Sequence, residues 1–194
     1  MKKLILVVAA SKMELSCLNM IEEADVSDSI NSTYKIKSLV SGVGTARTVW
    51  SLLDYLNSYT LPDFIINIGI AGSYKDDIKP GETVVVENDC FADSGIEETG
   101  GFVPLWKSGL AEPNEFPFTD GLLVTKPELM AYIPARIRRV KAITLSTASG
   151  TESTIGLIRE RFNPDIETME GAAVLFTAAK QGIPAFQLRS VSNM

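Results

Sequence analysis

The sequence predicts an α/β fold: one domain of three layers, α/β/α, around a central mixed, largely parallel twisted sheet. Apolar, β-branched runs alternate along the chain with segments of helical period, the pattern of a parallel sheet covered on both faces. A chain of 194 residues can also bury one substantial core without disulfide or metal support.

Residues 4–8 read as a fully buried first strand. Met1-Lys2-Lys3 before it and Ala9-Ala10-Ser11 after it imitate a secretion leader, but leaders need roughly 15 to 30 residues and this stretch is shorter. A helix is expected over 12–23, a strand over 35–40, a helix over 46–56 and strands over 64–68 and 83–86. Residues 91–118 break this rhythm with glycines, prolines and five aromatic residues, which suits a long functional loop or subunit contact. A tolerated surface insertion is the alternative. Beyond it come a helix over 128–138, a strand over 142–145 and a helix over 153–161. The last pair is a helix over 171–181, stopped by Gly182 and Pro184, and a strand over 186–191. That final strand lacks a covering helix, so a C-terminal helix is expected past Met194.

Charge and composition exclude several function classes. A formal net charge of -6 with no sustained Lys/Arg run is the wrong footprint for nucleic acid. No apolar stretch reaches the length of a membrane span. Cys17 and Cys90 lack metal-type spacing and suit a reducing, cytoplasmic location. The chain has no histidine, so no Ser-His-Asp triad, Cys-His pair or His-based metal site can form, and proton transfer falls to carboxylates, Lys, Tyr or bound water.

Small residues mark three expected strand exits: Ser41-Gly42-Val43-Gly44, Gly69-Ile70-Ala71-Gly72 and Ser149-Gly150-Thr151. Ligands of open α/β sheets sit at such exits, where glycine lets backbone N–H groups approach; ordinary tight turns are the plainer reading. Arg47 stands where a dinucleotide fingerprint would need its third glycine, and no phosphate loop occurs. No cofactor and no metal are therefore expected. Glu14 lies just after the first strand and Glu170 just before the 171–181 helix. Each alone could be a carboxylate favoured by the helix dipole. Ser192-Asn193, at the end of another strand, adds a third polar element at the same sheet edge, and such convergence marks a site.

Taken in order, Ala9-Ala10-Ser11-Lys12-Met13-Glu14, Ser41-Gly42-Val43-Gly44, Ile66-Asn67-Ile68-Gly69-Ile70-Ala71-Gly72, Pro80-Gly81-Glu82, Met169-Glu170-Gly171-Ala172-Ala173 and Arg189-Ser190-Val191-Ser192-Asn193 resemble the purine nucleoside phosphorylase and nucleosidase superfamily. The likeness covers nearly the whole chain. Within the superfamily it resembles the methylthioadenosine/adenosylhomocysteine nucleosidases and, through Phe91-Ala92-Asp93-Ser94-Gly95 and Gly101-Phe102, more closely the futalosine hydrolases of menaquinone biosynthesis. The resemblance implies a single nucleosidase domain over residues 1–194, a purine nucleoside as small-molecule partner, and a homodimer; a fully active monomer in gel filtration would contradict the last. It makes Glu14 the carboxylate that orients and deprotonates water, Glu170 the ligand of the ribose hydroxyls and Met169 a contact to the sugar. Ile70, Ala71, Gly72, Ser149, Gly150, Thr151 and Ser192 fall on the substrate-binding segments. Asn193 stands where adenine-cleaving relatives carry aspartate. An amide can donate to O6 of a 6-oxopurine, whereas an ionised carboxylate would face a lone pair. Asn193 thus favours hypoxanthine over adenine, and the resemblance to the futalosine hydrolases implies futalosine as its source.

Relatives that stack the base carry a phenylalanine where this chain has Ser149-Gly150-Thr151, which leaves Phe91 or Phe102 as candidates. The phosphorylase relatives carry arginines around their phosphate that are missing near Glu14 and ahead of Gly69, which favours water as nucleophile; Arg47 is the one residue that could restore a phosphate site. Adenine nucleosidase, phosphorylase and non-catalytic nucleoside-binding module remain the competing readings.

Overall fold

The computed structural model describes residues 2–18 and 33–193. Its strands are β1 (Lys3–Ala9), β2 (Tyr34–Val40), β3 (Phe64–Ser73), β4 (Thr83–Asp89), β5 (Gly95–Glu98), β6 (Gly101–Pro104), β7 (Leu123–Val124), β8 (Arg138–Thr144), β9 (Ile166–Thr168) and β10 (Ala185–Asn193). The α-helices are α1 (Lys12–Leu15), α2 (Thr45–Ser58), α3 (Pro127–Met130), α4 (Glu152–Phe162) and α5 (Gly171–Lys180).

The expected mixed, largely parallel sheet is present. Strands β1–β2, β1–β3, β3–β10, β4–β8 and β8–β9 pair in parallel, while β4–β10, β3–β9 and β4–β7 are antiparallel. Because β10 pairs with both β3 and β4, the strands β3, β10, β4, β8 and β9 close into a ring, and β1 and β2 extend from β3 as an open wing. Alternation along each strand sorts its side chains. Val84, Val86, Val140, Ala142, Ile166 and Val191 form one cluster, whereas Val85 packs outward with Met130 and Phe186. On the wing side, Leu6, Val8 and Ile65 pack against Leu52, Leu56, Ala172 and Leu175 of α2 and α5. That period-2 sorting is what a half-turned, buried sheet requires.

Several expectations need correction. The 128–138 helix is only Pro127–Met130, because Pro134 cannot continue a helix, and Arg138 already begins β8. Gly69-Ile70-Ala71-Gly72 is no strand exit: β3 runs on through Ser73, continuing its parallel ladder with β10 as far as Asn193↔Gly72. The 91–118 region carries a hairpin, β5–β6, and a short 3-10 turn over Leu105–Lys107. Of the 12–23 helix, Lys12–Leu15 is helical and residues 19–23 lie outside the described residues. Among the described residues no helix is long and apolar enough to cross a membrane.

Candidate active site

Glu14 is held from three directions. Ser11 caps α1, its Oγ accepting from the Glu14 N–H at 3.3 Å, while Glu14 Oε2 accepts from the Ser11 N–H at 2.9 Å and from its hydroxyl at 3.0 Å. This reciprocal capping box fixes the carboxylate at the helix start. Its other oxygen, Oε1, accepts from the Ile70 N–H at 3.1 Å, which ties α1 to the middle of β3. Gly69 makes the approach possible: a Cβ there would fall 2.7 Å from Glu14 Oε1 and onto Arg189 Nη1. A carboxylate and a guanidinium thus converge on one bare stretch of backbone.

Arg189 is 1% exposed. Its Nη2 donates to Asn67 Oδ1 and, at 3.1 Å, to Gln187 Oε1, which also accepts from Nε at 3.3 Å. Burial lowers the guanidinium pKa, and the charges of Glu170, Asp89 and Glu14 oppose that shift. Glu170 is the N-cap residue of α5, 6% exposed, and its Oε1 accepts from the Gly44 N–H at 3.0 Å. Gly44 has a φ of 93°, a backbone conformation that glycine adopts at no steric cost, so the β2–α2 turn delivers this N–H where a residue with a side chain would be strained. Burial raises the Glu170 pKa; the Gly44 bond and Arg189 pull it down, and Glu14 pushes it up.

Three residues further along β3, Gly72 pairs with Asn193 on one side and Glu167 on the other. A Cβ on Gly72 would lie 3.2 Å from Glu167 Cγ and 3.5 Å from Asn193 Nδ2. The β10 ladder slips between Val191 and Asn193, and such bulges re-aim side chains at sheet ends. Here the bulged residue, Ser192, donates its hydroxyl to Asn193 Oδ1 at 2.7 Å, leaving Nδ2 as the amide's donor, beside Gly72. Glu167 accepts from the Ser149 N–H at 2.9 Å, the Ser149 hydroxyl at 2.6 Å and the Tyr74 hydroxyl, whose pKa is pushed up by burial and by this carboxylate. The Ser149 loop is thereby fastened over Gly72. Gly69 and Gly72 lie roughly 10 Å apart at about 3.3 Å per residue, and, three positions apart, they face opposite sides of the strand.

The candidate residues therefore fall into two groups on one strand. Glu14, Ile70 and Glu170 gather around Arg189; Gly72, Ser149, Ser192 and Asn193 gather around Glu167. Met169 precedes Glu170, half-buried, and Ala71 is buried, its carbonyl accepting from Ser192. Thr151 is exposed and serves as the N-cap of α4, accepting from the Thr154 N–H, and a Cβ on exposed Gly150 would meet nothing within 4 Å. Neither stacking candidate is free: Phe91 packs edge-on against Phe176, and Phe102 against Phe162 beneath the Arg161 guanidinium.

Residue-by-residue reading of the sequence missed Arg189, Asn67, Gln187, Asp89, Glu167 and Tyr74. The signal was there for the first three: Asn67 within Ile65-Ile66-Asn67-Ile68, and Gln187 and Arg189 alternating with Phe186 and Leu188. Polar residues in fully buried strands must find partners in one another.

Residues 32–194 match the family model of the phosphorylase superfamily. The chain belongs to that superfamily. It is 32% identical over 160 residues to a futalosine hydrolase of Streptomyces coelicolor, an alignment covering 80% of this chain and 66% of that protein. The chain thus spans about two thirds of the length of this relative. It is 25% identical to a 5'-methylthioadenosine/S-adenosylhomocysteine nucleosidase of Buchnera aphidicola, over 96% of this chain and 77% of the relative. Among solved structures, the fold matches a futalosine hydrolase of Helicobacter pylori with a TM-score of 0.76 at 18% identity, covering 100% of this chain and 88% of that one.

Proposed function

We propose that this member of the superfamily hydrolyses the N-glycosidic bond of a purine nucleoside, with futalosine as the substrate and hypoxanthine as the released base. The observation that carries the hydrolytic reading is the Glu14 carboxylate beside Gly69 and Arg189. A phosphate bound there would meet the Glu14 carboxylate beside the guanidinium, whereas a water would find an acceptor in the one and a donor in the other. Glu14 takes a proton from that water as its oxygen attacks the anomeric carbon and the C–N bond to the base breaks. Glu170 accepts hydrogen bonds from the ribose hydroxyls, Met169 packs against the sugar, and the contacts strengthen as the sugar becomes cation-like. Asn193 Nδ2 donates to the 6-oxopurine edge, and the departing base takes its proton from solvent. This reading carries with it a place in menaquinone biosynthesis, a cytoplasmic location and a homodimer.

Free base release from futalosine, inosine, adenosylhomocysteine and methylthioadenosine, followed by chromatography with and without phosphate, tests the proposal. Phosphate should leave the rate unchanged; strict dependence on it would identify a phosphorylase instead. The adenine-nucleosidase reading is favoured by the Buchnera relative's coverage of this chain and opposed by Asn193. Mispairing one buried polar contact costs about 1 to 3 kcal/mol, so Asn193→Asp should move the ratio of kcat/KM values toward adenine nucleosides by roughly tenfold or more. Unchanged selectivity would mean that the base edge is read by other groups.

A further inference from the structure

One buried charge lies outside the machinery just described. Asp89, the last residue of β4, is 0% exposed. Its Oδ1 accepts from the Cys90 N–H at 2.8 Å, and both its oxygens lie 3.0 Å from the Thr144 hydroxyl. Thr144 in turn accepts from the Ala172 N–H at 2.8 Å and lies 3.1 Å from the Thr168 hydroxyl. The remaining donor to Asp89 is Gln187 Nε2, at 2.8 Å from Oδ2. Gly171 is bare because a Cβ there would fall 2.5 Å from Asp89 Oδ2 and onto Gln187 Oε1. The start of α5 therefore closes over this pair and keeps water out.

A side-chain amide has one donor end and one acceptor end. An ionised Asp89 can only accept, so it turns the Gln187 nitrogen toward itself and leaves Oε1 facing Arg189, where it accepts from both Nε and Nη2. Asn67 completes the clamp: its Nδ2 donates to the Val8 carbonyl at 3.0 Å, which leaves Oδ1 for Arg189 Nη2. The guanidinium is thus held on two acceptors with Nη1 directed at Gly69, beside Glu14. The charged groups coupled to this arrangement are Asp89, Arg189, Glu170 and Glu14, with the Cys90 thiol raised by burial and by Asp89.

We infer that Asp89 is a positioning residue for the reaction: acting through Gln187, it sets the orientation in which Arg189 stands beside the Glu14 carboxylate. The inference rests on the hydrolytic reading of the Glu14 site. Asp89→Asn puts a donor where Oδ2 was, against the Gln187 nitrogen. If Gln187 keeps its orientation, two donors face each other; if it turns over, its own N–H₂ confronts Arg189 and the guanidinium loses an acceptor. The exchange Asp89→Asn with Gln187→Glu conserves formal charge and restores the chain from β4 to Arg189: the amide introduced on β4 would donate to the carboxylate introduced on β10, whose other oxygen accepts from Arg189.

Turnover of futalosine per folded molecule, with folding checked by thermal unfolding, should fall roughly ten- to a hundredfold in Asp89→Asn, the range expected for one mispaired buried contact. KM should move by less than threefold, since the sugar and base contacts stay in place. The exchanged pair should recover at least tenfold of the lost kcat. Asp89→Asn within twofold of wild type, or an exchanged pair no faster than the single variant, would overturn the inference. Should Asp89→Asn fail to fold, the exchanged pair decides alone: a tenth or more of wild-type kcat supports the assignment and less rejects it. A wild-type protein that releases no base from any purine nucleoside would instead sink the hydrolytic reading and leave Arg189 without a reaction to serve.

Discussion

Replacing Glu14 with Gln should lower kcat about 10²- to 10⁴-fold, the usual cost of removing a positioned general base, while nucleoside binding persists. The substitution is nearly isosteric, and the geometry says what survives it. An amide oxygen can still accept from either the Ile70 N–H or the Ser11 N–H, the two backbone bonds that the carboxylate now accepts with separate oxygens. One capping contact is lost, worth about 1 kcal/mol, so the protein should remain folded. What disappears is the ability to take a proton from water. Single-turnover base release beside equilibrium binding of the intact nucleoside separates the two effects. Near-normal turnover in Glu14→Gln would remove Glu14 from the chemistry, and equal loss of binding and turnover would make it a binding residue only.

Removing the buried cation should have the largest effect on stability. Arg189→Met leaves Asp89 and Glu170, 0% and 6% exposed, without the positive charge that now lowers the pKa of each. Breaking a buried charge arrangement by deleting one partner costs about 3 to 5 kcal/mol, measurable by urea unfolding. The pH dependence has a definite sign. Burial already raises the Asp89 pKa from 3.8 to about 6, against the opposing bonds from Gln187 and Thr144 and the charge of Arg189. A carboxyl whose folded pKa lies above its unfolded value favours the folded state below the unfolded value and loses that advantage as pH rises through the folded one. Deleting Arg189 raises the folded values further. The deficit relative to wild type should therefore be smallest near pH 4 and grow through pH 6 and above. A deficit equal at pH 4.5 and pH 8 would show that Arg189 acts by packing and not as a counter-charge.

Much of the scaffold was legible in the chain. Runs such as Leu4-Ile5-Leu6-Val7-Val8 read as strands, and this one is buried from Leu6 on while Leu4 and Ile5 stay half-buried; their alternation with amphipathic segments favours a covered, mostly parallel sheet. Two of the readings that failed did so for local reasons. Pro134 cuts the expected 128–138 helix short, and the glycines of β3 imitate a turn although they lie within a strand.

Glu14, Glu170 and Asn193 could be picked out because each is polar and stands where an apolar run ends. What the sequence determined by itself was thus the strand and helix menu, the absence of histidine chemistry, and the three polar residues proposed for the site. The tertiary structure alone decided that β10 would lie between β3 and β4, and this closure brings Arg189 to Gly69, Asn193 to Gly72 and Gln187 to Asp89. Those meetings join residues far apart in sequence, and no local propensity encodes them. They follow from which strand edges pair and from the requirement that every polar group in a closed, dry interior find a partner.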